Sequence, residues 1–504
     1  MDFSFVLDWL GIADLTWVTW LPFVVTLVII AALMGAVQGA CAYSILAERK
    51  ISAWAQDRIG PNRVGLDLGF NFFPFTLLKH LGGLGQPIAD GLKFLLKEQV
   101  IPNHVDKLFY LFAPMIAVGT ATLAIAVVPF GATTPVPVLL DRRTPEQVSL
   151  SQKALTPEQR QQAVEKIVKD KQFAEKDRYD AIWPISETER AIVLAADRAW
   201  AQAKGKPSYE AQVQQYNRTL QFVVAPGTDI SIVFVFAIGS LAAYAIVLAG
   251  WSSNNKYSFM GALRSSAQLI SYEIPMGMSV LGVFLLTGTL NAERIIQHQL
   301  ENGWFFFTQP LATLLFAICI FAECNRVPFD LPECEQELVG GYHTEYSGMK
   351  FALFFLGEYT HMITTSFLMM ALFFGGWHLP FITSPSAGGV VDAILKLLIF
   401  GGKMVLFIIF YMYIRWTLPR FRFDQLMGLA WKVMLPLAFV NLIAVMYVNH
   451  FPILGSYTQW LLLPISLITL VVAGACSLQA DKEPTRAKIV VHGHPVTGRR
   501  VLVN

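Results

Sequence analysis

Long apolar segments separated by short polar connections dominate the chain. A helix that crosses a bilayer needs about 20 mostly apolar residues. Backbone groups in lipid must bond within their own segment, so apolar segments of this length form helices rather than open strands. The pattern predicts nine spanning helices, near residues 21–47, 108–130, 228–251, 270–290, 303–323, 350–376, 390–416, 431–449 and 457–479.

The connection between the first two predicted spans departs from this pattern. Residues 48–107 hold no full-length span, but FPFTLLKHL (73–81) and PIADGLKFLLKEQV (87–100) place apolar residues at helical spacing among charged ones. Such segments lie along the membrane interface or pack against a bundle instead of crossing it. We therefore expect interfacial amphipathic helices here.

A second departure is the polar segment 131–222, which is rich in Gln, Lys, Glu and Ala. It contains the motif TPEQ twice, at 144–147 and 156–159. In each copy Thr can cap a helix, Pro suits the first helical position, and Glu falls in the first turn. The segment is predicted to be an extra helical subdomain, with a largely disordered segment as the alternative.

Composition supports an integral membrane protein. Hydrophobic residues make up 54% of the 504 positions and charged residues 15%, whereas soluble domains carry about 25% charged residues. The basic residues are dispersed and the aromatic residues belong to apolar segments, so nothing indicates nucleic-acid binding. Five cysteines, several of them inside apolar segments, do not indicate a disulfide framework. The expected fold class is an all-α polytopic transmembrane helical bundle with interfacial amphipathic helices.

The distribution of Lys and Arg predicts the orientation in the membrane. Connections with Arg49, Arg58 and Arg420 are basic, whereas 377–390 contains no Lys or Arg. Because basic short loops face the cytoplasm, the N-terminus is expected outside and the tail inside. The predicted division of the chain is 1–130, an outer (periplasmic) insert 131–222, a helical unit 223–450, and a ninth helix with a tail at 451–504.

One cytoplasmic connection, residues 322–346, is unusually acidic. One interpretation is a solvated loop, but the connection also carries apolar residues and follows a span directly. Its carboxylates are Glu323, Asp330, Glu333, Glu335, Glu337 and Glu345, against Arg326 and His343. Ionisable groups inside spans, here Glu273 and Glu358, mark ion or proton paths. Close carboxylates do not all remain ionised, so this row of acids favours a proton relay.

Three further groups of side chains carry expectations of their own. Glu323 and Arg326 have the spacing of one helical face, and so have Glu358 and His361. The second pair suits a relay, with a snorkelling or core-bonded histidine as the alternative. Lys403, deep in LIFGGKMVLFIIF, should need a carboxylate partner or a wet cavity. By contrast, Cys324, Cys334 and His343 lack the spacing of a metal site. The sequence has no CxxCH, P-loop or dinucleotide-binding glycine motif, so no redox cofactor is expected on this chain.

Several segments together resemble a known family. They are ERKISAWAQDRIGPNRVG (48–65), IADGLKFLLKE (88–98), AGWSSNNKYSFMGALRSSAQLISYE (249–273), the stretch 322–346, SGMKFALFFLGEY (347–359) and LPRFRFDQLMGLAWKVMLPL (418–437). In order and content they are similar to the H-type membrane subunit of bacterial NADH–quinone oxidoreductase, which is the quinone-channel subunit of respiratory complex I. The resemblance omits the first 20 residues, the insert 131–222 and the chain after about 450. The insert and the ninth helix exceed the usual eight-helix pattern.

The resemblance implies a function. It implies a subunit of the bacterial inner membrane that contacts the peripheral-arm subunits around the terminal iron–sulfur cluster, other membrane-arm subunits and the lipid bilayer. FMN and iron–sulfur clusters would belong to partner subunits, and quinone would be the substrate. Quinone would pass residues Arg49, Arg58, Arg326 and Phe329. The acidic chain of the family would correspond to Glu273, Glu323, Asp330, Glu333, Glu335, Glu337, Glu345, Glu358 and Asp90.

Two other classes of protein are alternatives to this one. Membrane anchors of energy-converting hydrogenases, and quinone reductases with another electron donor such as ferredoxin, use related helices. The motifs QDRIGPNRVG and GWSSNNKYS favour the quinone-linked version and leave the electron donor, NADH or ferredoxin, open. A stand-alone secondary transporter is disfavoured, because no inverted repeat or pair of matching broken helices is visible.

Overall fold

The computed structural model describes residues 21–65, 83–130, 187–205, 207–218, 228, 230–330, 340–380, 382–383, 390–451 and 459–480. Within these ranges the chain is helical and contains no strand. The helices in chain order are α1 (Leu21–Ala55), α2 (Gln86–Leu96), α3 (Lys107–Ala124), α4 (Glu187–Lys204), α5 (Tyr209–Arg218), α6 (Ser231–Ser252), α7 (Lys256–Thr287), α8 (Ala292–Asn302), α9 (Pro310–Glu323), α10 (Met349–Phe373), α11 (Val390–Thr417), α12 (Phe423–His450) and α13 (Leu462–Ala480).

The predicted all-α fold class is confirmed. Among the described residues six helices, α1, α3, α6, α7, α11 and α12, are long and apolar enough to cross a membrane. Six of the nine predicted spans are therefore both long enough and apolar enough. Helix α10 has 25 residues, but polar side chains such as Glu358 and His361 lower its mean hydropathy. The remaining two, α9 and α13, contain only shorter apolar stretches.

The prediction of one continuous span over 303–323 is wrong. A single helical turn, Phe305–Thr308, is followed by non-helical Gln309 (φ −129°, ψ 62°), and α9 begins only at Pro310. Pro310 has no amide hydrogen to continue the helical bonds of the preceding turn, and it occupies the first position of α9, which proline favours. The 14 residues of α9 extend about 21 Å, less than the hydrocarbon thickness of about 30 Å.

Helix α7 begins 14 residues before the span predicted at 270–290. The side chain of Asn255 caps it by accepting a hydrogen bond from Tyr257 N at 3.0 Å, and left-handed Gly288 (φ 65°) ends it. Its first half carries buried Ser258, Ser265 and Gln268. Hydropathy alone misses this half, because its polar groups face protein rather than water.

Helix α10 lies at the centre of the bundle. It packs against α1, α3 and α11, and from Met362 to Phe373 every side chain is buried. Cys41, Tyr272 and Phe316 belong to the same apolar core. This packing brings the polar first half of α10 against α6 and the end of α9, where the candidate site lies.

Two regions outside the main bundle are also helical where described. Helix α2, within the predicted amphipathic segment, packs against α1 and α10 and exposes Leu92, Leu95 and Leu96. In the insert, α4 and α5 are joined by an ion pair between Arg198 and Glu210. Both TPEQ motifs lie outside the described residues.

The predicted ninth apolar segment forms α13, which packs against α9 and α12. Leu462 at its start is buried together with Val445 and Val448 of α12. Trp460 lies against Gly303, where a side chain would come within 3.3 Å of the indole. Helix α13 therefore covers part of the short, interrupted helix α9.

Candidate functional site

A buried cluster of opposite charges joins four segments of the chain around Glu48. Glu48, near the end of α1, is 7% exposed. Its carboxylate accepts hydrogen bonds from Arg326 Nη1 at 3.3 Å, from Arg415 at the end of α11, and from the hydroxyl of Tyr359 on α10. Buried charges are tolerated only when they are paired and hydrogen-bonded, and Glu48 has partners from three directions.

Arg326 connects this cluster to Glu358. Its Nε lies 2.6 Å from Glu358 Oε1, and its guanidinium lies over the ring of Tyr359, 4.3 Å from the centroid. The planar, forked guanidinium can serve two carboxylates and an aromatic face together. Arg326 therefore holds the end of α9, helix α1 and helix α10 in one arrangement.

Glu323 and His361 form a second pair beside the cluster. Glu323 is the last residue of α9, and its Oε1 lies 3.3 Å from His361 Nε2. The expectation that Glu323 and Arg326 share a helical face is wrong, because α9 ends at Glu323 and Arg326 lies in the following turn. Glu358 and His361, by contrast, do lie on one face of α10 and line the same cleft.

Three glutamates and one histidine line the cleft: Glu273, Glu323, Glu358 and His361. The cleft has a volume of about 70 Å³, room for a few water molecules. Its wall is built from small residues of α3, α6 and α10. At Gly239 of α6, a methyl group would lie 3.5 Å from Glu323 Oε1, so the small wall lets the carboxylate approach the helix backbone.

Glu273 reaches the cleft from the middle of α7. The hydroxyl of Ser240 on α6 donates a hydrogen bond to its carboxylate. The cleft thus collects acids from three parts of the chain that are more than 30 residues apart in sequence: α7, the end of α9 and α10. The sequence singled out each acid but did not indicate that they meet at one cleft.

Three of the other predicted acids lie apart from the cleft. Asp330 Oδ2 accepts a hydrogen bond from Arg420 at 3.2 Å, and Glu345 Oε1 accepts one from Asn255 Nδ2 at 2.7 Å. Asp90 pairs with half-exposed Arg49 at 2.7 Å. The remaining acids of this set, Glu333, Glu335 and Glu337, lie outside the described residues.

The four residues predicted to meet quinone are dispersed. Arg49 lies six residues before the end of α1, and Arg58 follows that helix and is exposed. Arg326 belongs to the buried ionic cluster. Phe329 is 3% exposed and packs edge-on against Tyr272, with ring centroids 5.4 Å apart.

The surroundings of Lys403 differ from those expected from the sequence. In place of a carboxylate or a wet cavity, its Nζ donates to the backbone carbonyls of Phe374, Gly376 and His378 at 2.7, 2.9 and 2.6 Å. It also lies over the ring of Trp304, 4.4 Å from the centroid. Carbonyls just beyond a helix C-terminus carry partial negative charge, so they satisfy an ammonium group without a counter-ion.

Sequence reasoning missed Glu48, Tyr359 and Arg415 as members of the site. A signal was available, because Glu48 and Arg415 are charged residues at the ends of long apolar segments, where ionisable groups are costly. Nothing in the sequence, however, indicated that residues so far apart along the chain would pair. Among the described residues no group of three or more His, Cys, Asp or Glu side chains could hold a metal ion.

Known proteins have sequences similar to the segments that form the cleft and the ionic cluster. A family model described as NADH dehydrogenase matches residues 25–149 and 212–446. An H-type NADH-quinone oxidoreductase subunit of Cytophaga hutchinsonii is 38% identical over 401 residues, which is 80% of this chain and 90% of the relative. The H-type subunit of Protochlamydia amoebophila is 37% identical over 408 residues, 81% and 92% of the two chains.

The family match includes all of the residues that line the cleft or form the ionic cluster. It leaves out residues 150–211, which contain α4, and everything after 446, which contains α13. A third relative, an H-type NADH-quinone oxidoreductase subunit of Geobacter sulfurreducens, is 38% identical over 402 residues, 80% of this chain and 88% of the relative.

Proposed function

This chain belongs to the NADH dehydrogenase family that includes the H-type subunit of NADH–quinone oxidoreductase, and from that premise we propose that it couples quinone reduction to proton movement. It is a multi-pass membrane subunit of such an enzyme. The proposed contribution of this chain has two parts: an access path for quinone, and an acidic relay through the helix bundle.

The observation that carries the relay is the cleft shared by Glu273, Glu323, Glu358 and His361. The pair of His361 Nε2 and Glu323 Oε1, 3.3 Å apart, can hold a proton at either atom. Water in the cleft can bridge this pair to Glu273 and Glu358. Side chains that exchange protons at such distances are what a relay requires.

The ionic cluster would link the relay to quinone chemistry. Glu358 is bound through Arg326 to Glu48 and from there to Arg415. A change of charge near Arg326 or Arg415 would alter how strongly these groups hold Glu358, and Glu358 lines the cleft. Reduction of a quinone to a quinol takes up two electrons, delivered by partner subunits, and two protons. If groups of this chain near the cluster gave up those protons, the local charge would change in this way. The loop acids Glu333, Glu335 and Glu337, with Asp330, Glu345 and Asp90, belong to the same proposed chain.

The access path is proposed near α1 and α2. Helix α2 exposes leucines to the surroundings, as a lateral opening for an isoprenoid tail requires. Arg49 pairs with Asp90 of this helix, and exposed Arg58 follows α1. Arg326 and Phe329 lie deeper. Quinone is the proposed substrate of this path, with electrons delivered from FMN and iron–sulfur clusters in partner subunits.

The proposed setting is the bacterial inner membrane, with the N-terminus outside and the acidic loop in the cytoplasm. The partners would be peripheral-arm subunits around the terminal iron–sulfur cluster and neighbouring membrane-arm subunits. The insert around α4 lies outside the family match and would contact an accessory subunit or the neighbouring membrane subunit.

The relay is tested with Glu323→Gln and His361→Gln in the whole complex, purified and reconstituted in vesicles. Each change removes a proton-carrying group from the pair and nearly preserves size. Protons moved per NADH oxidised should fall at least twofold in each variant, while NADH oxidation by an artificial acceptor is retained. Asp424→Asn, which removes an exposed carboxylate of α12, is the matched control.

An unchanged proton ratio and quinone-reductase rate in both variants would contradict the relay. Loss of quinone reduction without a change in the proton ratio would instead place the pair on the quinone path.

A further inference from the structure

A group of buried polar side chains lies at the interruption before α9, away from the acidic cleft. Thr308 and Gln309 are fully buried, and Asn441 of α12 is 3% exposed. Within the described residues, both amide atoms of Gln309, the hydroxyl of Thr308 and Nδ2 of Asn441 have no protein hydrogen-bond partner. Buried polar groups are nearly always hydrogen-bonded, to protein or to ordered water, so this concentration requires an explanation.

Gly282 of α7 provides the space between these groups. A methyl group at Gly282 would lie 3.3 Å from Gln309 Oε1 and 3.7 Å from Asn441 Nδ2, with Val445 Cγ2 at 3.6 Å. Both polar atoms therefore face the same point on the surface of α7, which glycine leaves unfilled. An acceptor and a donor that face one point without bonding each other suit a molecule that both donates and accepts.

Three helices contribute to this point. Gln309 immediately precedes α9, Gly282 belongs to α7 and Asn441 to α12. A buried water molecule typically makes about three hydrogen bonds to otherwise unpaired polar groups, whereas apolar cavities stay dry. The polar atoms here are neutral, and one of them is an amide NH₂ that can only donate, so water fits and a cation does not.

We propose that an ordered water molecule occupies the space beside Gly282, donating to Gln309 Oε1 and accepting from Asn441 Nδ2. It would join the non-helical start of α9 to α7 and α12, where Pro310 interrupts the helical hydrogen bonds. The position is separate from the acidic cleft, because Gly282 lies nine residues after Glu273 in α7, about 13 Å along the helix axis.

The first test is a cryo-EM map of the purified complex at a resolution that resolves ordered water. Density within hydrogen-bonding distance of both Gln309 and Asn441 is expected. Direct contact between the two side-chain amides, with no density between them, would overturn the proposal. This result does not depend on the acidic relay or on any variant that must fold.

The second test fills the space. Gly282→Ala directs a methyl group towards Gln309 Oε1 and Asn441 Nδ2, where it narrows the space for the proposed water. Gly277→Ala is the matched control, because it lies in the same helix with nothing within 4 Å of the added carbon. Alanine normally stabilises a helix relative to glycine. The midpoint temperature of unfolding of the complex should therefore be lower by several degrees for Gly282→Ala than for Gly277→Ala, with the water density lost. Equal midpoints in the two variants would contradict the proposal.

Discussion

At the scale of single residues, Glu48 is the charge on which the buried cluster depends. It lies in α1, whereas its partners Arg326, Tyr359 and Arg415 come from positions 278 to 367 residues away in sequence. The two arginines are balanced by Glu48 and Glu358, so the cluster is formally neutral. Removing one member of a buried ion pair is more damaging than its net contribution suggests, because an uncompensated charge remains.

The Glu48→Gln substitution should therefore destabilise the subunit by about 3–5 kcal/mol, the cost of breaking a buried pair. Arg326 and Arg415 would both lose their shared carboxylate. Asp424→Asn is the comparison, because its pair with Arg422 is largely exposed and such pairs contribute about 1 kcal/mol or less. The difference in stability between the two variants is measured by heating each complex and monitoring the loss of assembled complex by native gel electrophoresis. Equal midpoints for the two variants would refute the role given to Glu48.

Lys403→Met should cost about 1–3 kcal/mol for the carbonyls left without a donor. The ammonium group serves three carbonyls at once beyond the end of α10, so an apolar side chain of similar length cannot replace it. Lys432→Met removes an exposed lysine and controls for the loss of charge. The same thermal assay applies, and a Lys403→Met protein as stable as the control would contradict this account.

His378 should make stability dependent on pH. Burial lowers the pKa of His378, and the nearby charge of Lys403 lowers it further. The folded state then binds fewer protons than the unfolded state just below the usual pKa of about 6.5, so stability falls as the pH decreases through that value. In the parent protein the midpoint temperature of unfolding should be lower at pH 5.5 than at pH 7.5. In His378→Gln this decrease should be smaller by about a degree or more. His104→Gln, at an exposed position, should keep the parent's pH dependence.

At the scale of elements, two of the departures from regular α-helix among the described residues lie in or next to helices that contact α13. Pro310 separates the turn Phe305–Thr308 from α9, and residues Leu429–Met434 of α12 form a π-helix. Interrupted helices leave backbone or side-chain polar groups to be satisfied by neighbours. Helix α13 packs against both α9 and α12, although it lies beyond the residues matched by the family.

Helix α13 should be held in place mainly by its first turn. Leu462→Ala removes a side chain that is 1% exposed against Val445 and Val448, and such a change costs about 2–5 kcal/mol. Val471→Ala, at a position that is 71% exposed, should have little effect. Limited proteolysis of the C-terminal region in purified complex should be faster only in Leu462→Ala. Equal rates would show that α13 is anchored elsewhere.

At the scale of the whole molecule, the distribution of Lys and Arg predicts which side of the membrane each connection faces. Cysteine labelling of intact cells tests it, since the native cysteines at 41, 319 and 324 are buried and those at 334 and 476 can be replaced by serine. With Gln56→Cys and Glu301→Cys, a membrane-impermeant maleimide should react with position 301 from outside and with position 56 only after permeabilisation. The reverse pattern would invert the topology.

Much of the fold was predictable because hydropathy acts locally. Apolar segments such as α6 and α11 must be helical in lipid, and their bounds follow the sequence closely. Polar yet helical stretches, such as the first half of α7, were missed, because Ser265 and Gln268 face protein and a window of residues carries no information about what surrounds them. The break at Gln309 was missed for the opposite reason, since apolar composition does not reveal that Pro310 ends helical bonding.

The candidate site, like the fold, was predictable only in part. The sequence by itself determined the membrane class, the helical bundle and the individual acids Glu273, Glu323 and Glu358, because a charge inside an apolar segment is visible without any partner. Only the tertiary structure decided that Glu323 pairs with His361, that Arg326 turns to Glu48 and Glu358, and that Lys403 is satisfied by carbonyls. The physical reason is that burial makes each charge dependent on its partners, and those partners come from distant helices that only packing brings together.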